Sequence, residues 1–284
     1  MKTRAALILI IPAAFFFAIS FAAPLIMVGR LSVYTLEGGR EVFVGLRNYA
    51  RALADPHFLK SFVNVFWFVL MITPVSISMA YWISMLLQHF SHRMQGVGRF
   101  IVYVPSLTSG LIMAVLWRWI LARGGLLNSF LMHFGMREIG WFGEQWPARI
   151  SVALVALSGG PGLFVILFSA ALLAIPDELR EAAKIDGATD GQYRRMVLRP
   201  LLMPTILLAV MLTIIGTMQT WEVMYVIFKS GGPRGVCATP VYEIFMTAFM
   251  YGRPYLASAK GLLLLVVIGA IVAAQRRVEV WAGQ

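Results

Sequence analysis

The amino-acid sequence predicts an all-α membrane protein with six transmembrane helices. Its 284 residues are 60% hydrophobic and only 13% charged, and the mean hydropathy is +0.79. Such a composition is typical of a chain whose solvent is lipid rather than water. The apolar residues also form runs long enough to cross the ~30 Å hydrocarbon core as helices. We therefore predict a single transmembrane domain over residues 1–284.

The predicted spans alternate with polar or glycine-containing loops. The first follows Lys2 and Arg4 and has features of a secretion signal, but its length favours an uncleaved span. The second contains Thr73-Pro74, which predicts a kink that neighbouring helices can accommodate. The third carries Arg118 near one end, where a long side chain can reach the interface. The predicted spans are 5–28, 61–87, 100–121, 150–174, 201–228 and 256–274.

Charge and reactive residues exclude several functions. The net charge is +11, but the basic residues are scattered through short loops, where lipid headgroups rather than nucleic acid are the expected partners. No phosphate-binding G-x-x-x-x-G-K-[ST] loop occurs, so the chain is not expected to bind ATP. The four histidines and Cys237 form no arrangement typical of a metal site or a nucleophile. We predict no catalytic residue, no metal and no cofactor in this chain.

Six spans place both termini on the same side of the membrane. The lysines and arginines of the two sides nearly balance, so the positive-inside rule gives no clear orientation. The membrane orientation therefore has to be inferred from the most polar interval, residues 176–200. Its composition predicts two short helices joined at Gly187, the first beginning near Pro176 and the second capped by Thr189.

Part of this interval resembles the EAA loop of permease subunits of binding-protein-dependent ABC importers. Glu181-Ala182-Ala183 is followed by Gly187 and then by Pro200 at the family's spacing, although Val197 and Arg199 replace the usual Ile and Leu. Arg276-Arg277, soon after the sixth predicted span, resembles the first permease type of a heterodimeric pair. Other segments resemble the carbohydrate branch, similar to maltose and glycerol-phosphate permeases. These segments are 43–49, 116–119, 125–128, 219–225, 231–233 and 255–259.

The resemblance implies a set of partners and an orientation. The 176–200 loop would be cytoplasmic and dock on an ATP-binding subunit dimer, which would bind ATP and Mg²⁺. Both termini would then be cytoplasmic, in a bacterial-type inner membrane. A second permease chain would complete a heterodimer, and an extracytoplasmic solute-binding protein would dock on loops 29–60, 122–149 and 229–257. The implied ATPase-coupling residues are Glu181, Ala182, Ala183, Asp186 and Gly187.

A candidate substrate path lies on the fifth predicted span. Thr213, Thr217 and Thr220 share one helix face, and their hydroxyls could bind a polyol. The alternative is that these hydroxyls donate to carbonyls four residues earlier in the helix. Glu222 could line the path, pair with Arg118, or be solvated. The predicted path residues are Thr213, Gly216, Thr217, Thr220, Trp221 and Glu222.

Two functions remain open at this point. The first is an ABC importer permease for a carbohydrate or related polyol, with the solute being a sugar, glycerol-3-phosphate or another polar molecule. The second is an ion-coupled secondary transporter that uses Glu222 as its coupling acid.

Overall fold

A computed structural model describes residues 11–282, with side chains described through residue 277. The start of the first predicted span, residues 5–10, lies outside the described residues, as do Lys2 and Arg4. The helices are α1 (Ile11–Ser32), α2 (Arg47–Leu53), α3 (Pro56–Leu87), α4 (His92–Tyr103), α5 (Gly110–Ile120), α6 (Leu126–His133), α7 (Gln145–Ser158), α8 (Gly162–Leu173), α9 (Asp177–Ile185), α10 (Asp190–Gln219), α11 (Glu222–Phe228), α12 (Pro240–Phe245) and α13 (Pro254–Ala282).

The predicted all-α membrane class is confirmed. Among the described helices, α1, α3, α10 and α13 are long and apolar enough to cross a membrane. Two bent pairs bring the number of possible spans to six. One pair joins α4 to α5 with a bend of 85°, and the other joins α7 to α8 with a bend of 51°.

The chain folds as two compact units, the first comprising residues 11–59 and 243–269. In this unit α1 leads into a β-hairpin of β1 (Tyr34–Glu37) and β2 (Arg40–Phe43). Asn48 of α2 binds to this hairpin region, because its side-chain amide donates to the carbonyls of Ser32 at 2.9 Å and Tyr34 at 2.7 Å. The sequence interpretation of residues 29–60 as a loop with one helical piece did not include this hairpin. Its signal was the Gly38-Gly39 pair, because both glycines adopt the positive φ that a tight hairpin turn requires.

The second unit comprises residues 60–242 and 270–282. Its core joins α3, α8 and α10 through apolar side chains. The buried residues of this core are Ala80, Leu87, Val165, Phe168, Leu172, Leu198, Leu202 and Ala209. The helices approach closely at Gly162, where an added Cβ would lie 2.7 Å from the Cα of Tyr103. A glycine is therefore required at this crossing.

Three predicted spans are divided in the structure, and that of 150–174 bends between Ser158 and Gly162. The interval 100–121 bends between Leu107 and Gly110, after a 3₁₀ turn that contains Pro105. The interval 201–228 breaks at Thr220 and Trp221, where Thr220 is extended with a ψ of 126°. The Thr239 hydroxyl donates to the freed Thr220 carbonyl. Broken backbone of this kind is tolerated at membrane depth where protein or a water-filled cavity surrounds it.

Candidate functional site

The polar 176–200 interval folds as the sequence predicts locally. Pro176 is the N-cap of α9, with Asp177 and Glu178 in the first turn, where the helix dipole favours negative charge. Gly187 follows the end of α9 with a φ of +75°. Its N–H donates to the Lys184 carbonyl at 3.0 Å, while that of Ala188 donates to Ala183 at 2.9 Å. These two bonds form a Schellman motif, which glycine favours because its φ is positive.

The second helix of the interval begins with a confirmed cap. The Thr189 hydroxyl accepts from the N–H of Gln192 at 3.3 Å, and the Gln192 Oε1 accepts from the N–H of Thr189 at 2.8 Å. This reciprocal capping box defines where α10 starts. The turn between α9 and α10 is therefore closed by local hydrogen bonds at both ends.

The predicted coupling residues lie on α9 and in the turn that follows it, and most of them are accessible. Glu181, Ala182, Asp186 and Gly187 are exposed, and Ala183 is half-buried. Ile185 beside them is 86% exposed, which is unusual for a large apolar side chain. Neither Glu181 nor Asp186 forms a salt bridge with any described residue. The face therefore offers free carboxylates, two small residues and one apolar side chain.

Five of the six predicted path residues line one cavity in the second unit. Its volume is about 350 Å³, within the range of small-molecule sites. The walls come from α3, α5, α7, α8, α10 and α11. The path residues in this lining are Thr213, Gly216, Thr217, Thr220 and Glu222. None of the described residues that line this cavity is a Lys, Arg or His.

The three threonines donate within their own helix. Thr213 donates to the carbonyl of Ala209 at 2.8 Å, Thr217 to that of Thr213 at 2.7 Å, and Thr220 to that of Gly216 at 2.9 Å. The alternative that the sequence left open, back-bonding to residue i−4, is thus what the structure shows. A hydroxyl that donates in this way keeps acceptor lone pairs. The threonines can therefore accept hydrogen bonds from a bound molecule.

Trp221 and Glu222 follow the helix break and depart from the predicted arrangement. Trp221 adopts a φ of −135°, so its side chain leaves the threonine face and is absent from the cavity lining. The centre of its ring lies 6.3 Å from the centre of the Tyr225 ring. Glu222 reaches the cavity beside Gly110, but it forms no salt bridge with Arg118. Arg118 instead donates to the carbonyl of Val226 at 3.1 Å.

Sequence reasoning overlooked a buried ion pair in the first unit. Lys260 lies inside the apolar α13, and its Nζ is 2.7 Å from Asp55 Oδ2 and 2.9 Å from Thr247 Oγ1. The lysine side chain is only 2% exposed. The signal was present in the sequence, because a lysine within an apolar span requires a partner inside the protein.

Two carboxyls around this lysine have shifted pKa values of opposite sign. Burial raises the pKa of Asp55, but the hydrogen bond and charge of Lys260, together with the backbone N–H groups of His57 and Phe58, leave the net pKa lowered. Burial raises the pKa of Glu243, and Asp55 adds to this rise. The charges of Lys260 and His57 oppose the rise without cancelling it. As the pH rises, ionisation of Asp55 therefore stabilises the fold, whereas ionisation of Glu243 destabilises it.

Comparison with known proteins gives consistent matches along almost the whole chain. A family model described as "Binding-protein-dependent transport system inner membrane component" matches residues 5–279. The trehalose/maltose transport system permease protein MalF of Thermococcus litoralis is 31% identical over 234 residues, which are 80% of this chain and 76% of that protein. The arabinooligosaccharides transport system permease protein AraP of Bacillus subtilis is 28% identical over 258 residues, 89% of this chain and 81% of that protein.

The fold has a similar counterpart among solved structures. A chain of a bacterial ABC transporter involved in the import of the acidic polysaccharide alginate superposes with a TM-score of 0.82. The match covers 98% of this chain and 95% of the other, at 19% sequence identity. At this identity the similarity establishes the fold alone.

Proposed function

The chain belongs to the family of binding-protein-dependent transport system inner membrane components, and on this premise we propose that it forms half of the translocation path of an ATP-driven importer for a neutral carbohydrate or polyol. The predicted permease subunit of an ABC importer is confirmed by the family and by relatives that are sugar transport permeases. The same findings support no ion-coupled secondary transporter, so the alternative role of Glu222 as a coupling acid is set aside.

The chemistry of the cavity lining carries the choice of substrate class. The hydroxyls of Thr213, Thr217 and Thr220 donate internally and can only accept from a ligand, and Glu222 adds a carboxylate that accepts when ionised. Sugar hydroxyls are donors that match such a lining. A phosphate ester would meet a carboxylate and no basic side chain there, which disfavours glycerol-3-phosphate. Relatives named for arabinooligosaccharides and for trehalose/maltose support the same class.

In this proposal α9 is the cytoplasmic coupling element. Glu181 and Asp186 offer carboxylates to basic residues of an ATPase subunit, while Ala182 and Ala183 leave room for a groove to close over the helix. ATP and Mg²⁺ belong to the ATPase dimer, a second permease chain completes the path, and a solute-binding protein delivers the sugar. The termini are then cytoplasmic in a bacterial inner membrane. Closure of the ATPase dimer would move α9 and reorient the spans around the cavity.

Two glycines in matching motifs give the test of coupling. Gly187 and Gly135 have φ values of +75° and +76°, and both end a helix in a Schellman motif. A Cβ added at either position would meet no atom within 4 Å. Alanine at either position therefore produces the same strain, about 1–2 kcal/mol, without a steric clash. Only Gly187 lies at the proposed ATPase contact.

The experiment compares Gly187→Ala with Gly135→Ala in chains purified from native membranes. We expect both variants to reach the membrane, and the ATPase activity that co-purifies with the chain to fall at least severalfold for Gly187→Ala alone. Equal retention of ATPase by both variants and the wild type would contradict the coupling role of α9. Absence of any ATPase from wild-type preparations would contradict the proposed function as a whole.

A further inference from the structure

A basic groove in the second unit contains none of the residues to which the proposed transport function assigns a role. Its volume is about 440 Å³, and it lies between α3, α8 and the first turns of α10. Arginines 194, 195 and 199 line one end. Apolar residues line the remainder, among them Ile77, Phe168 and Ile206. The groove is thus cationic at one end and hydrocarbon-like at the other.

The arginines lie within and just after a π-helical turn. Residues Arg194–Leu198 form this turn, and the N–H of Arg199 donates to the carbonyl of Arg194. All three arginines lie within or just after this turn, and all three line the groove. Turns of this kind inside α-helices are frequent at functional sites. Three positive charges therefore face one small region.

The positive charge of this region lacks compensation within the described chain. Arg195 and Arg199 are exposed and have neither a salt bridge nor a side-chain hydrogen bond to a described residue. Arg194 donates from Nε to the carbonyl of Asp190 at 3.2 Å, and its guanidinium lies 6.0 Å from the ring centre of Trp82. No carboxylate occurs among the groove-lining residues of the described part of the chain. A bound anion would compensate the positive charge of Arg195 and Arg199.

The groove follows the direction of the membrane-crossing helices. Both α3 and α10 are long enough to span the bilayer, and the arginines lie near the start of α10. From Arg194 to Ile206 the helix rises ~18 Å, more than half of the ~30 Å hydrocarbon core. Trp82 lies beside Arg194 at the basic end of the groove, as aromatic residues do at a membrane interface.

We propose that this groove is a binding site for an anionic phospholipid. The phosphate lies against Arg195 and Arg199, and an acyl chain runs along the half-buried Ile77 and Ile206. A basic pocket between transmembrane helices is a recognised form of anionic-lipid site. An acidic segment of a partner protein would satisfy the arginines but not the apolar walls within the membrane. The mixed lining therefore favours a lipid.

The test uses the intact chain in detergent and measures lipid retention by native mass spectrometry. The probes are phosphatidylglycerol, phosphatidylcholine with the same acyl chains, and glycerol-3-phosphate as a headgroup without chains. The test variant is Arg195→Gln with Arg199→Gln. The matched control replaces two exposed arginines elsewhere, Arg93→Gln with Arg137→Gln, so that the net charge is the same.

We expect wild-type chain to retain phosphatidylglycerol in preference to phosphatidylcholine, and the test variant to bind it roughly 30-fold more weakly than the control. Ile206→Trp, which fills the apolar end, should weaken the same lipid while both arginines remain. Equal loss in test and control variants, equal retention of the two lipids, or equally strong binding of glycerol-3-phosphate would overturn the proposal. Displacement of the lipid by a co-purifying permease or ATPase chain would assign the groove to a protein interface instead.

Discussion

The buried pair of Asp55 and Lys260 gives the sharpest prediction about stability. Asp55→Asn removes the negative charge but keeps an oxygen that can accept from the N–H groups of His57 and Phe58, which Asp55 Oδ1 now caps at 2.9 and 3.4 Å. The variant therefore tests the effect of the negative charge of Asp55 alone. Removing one partner of a buried pair costs about 3–5 kcal/mol, because the other charge is left without compensation.

The structure places this cost near the lower end of that range. Asp55 is 25% exposed, so water already reaches part of the pair, and Thr247 and the Phe58 ring still stabilise the ammonium. We expect Asp55→Asn to cost about 3 kcal/mol.

The reverse change should cost less. Lys260→Met leaves a carboxylate that water can reach, so we expect a loss of about 1–2 kcal/mol. The double variant Asp55→Asn with Lys260→Met should recover to within about 1 kcal/mol of wild type. The measurement is unfolding in detergent followed by tryptophan fluorescence at pH 7. Additive losses in the double variant, or equal losses in the two single variants, would refute this account of the pair.

Three further predictions concern single side chains. Glu243→Gln should raise the melting temperature more at pH 8 than at pH 4. The pKa of Glu243 is raised in the folded state, so the wild type loses stability as the pH rises above the ordinary value of 4.5. A larger gain at pH 4 than at pH 8 would contradict this sign. Thr217→Val should slow sugar uptake about 2- to 12-fold by removing one acceptor, while Thr73→Val, the same change outside the cavity lining, should not. Burial raises the pKa of Cys237 to about 12, so maleimide should label this thiol at pH 7 only after unfolding, as a mass shift would show.

The sequence determined the features that depend on composition and local geometry. Long apolar runs have one stable solution in lipid, the helix, because every backbone polar group must be satisfied within the segment. This is why the membrane class could be predicted. The turn at Gly187 and the cap at Thr189 were also predictable, since both depend on residues only a few positions apart.

Features that join distant segments were decided by the tertiary structure. The fifth predicted span is interrupted at Thr220, where the hydroxyl of Thr239, nineteen residues later, donates to the freed carbonyl. Trp221 leaves the threonine face at the same break, whereas continuous helical periodicity predicted that it would stay there. Lys260 is stabilised by Asp55, which lies 205 residues away in the chain. Periodicity and spacing describe neighbours along a helix, and they carry no information about which distant group will meet a buried charge or a broken hydrogen bond.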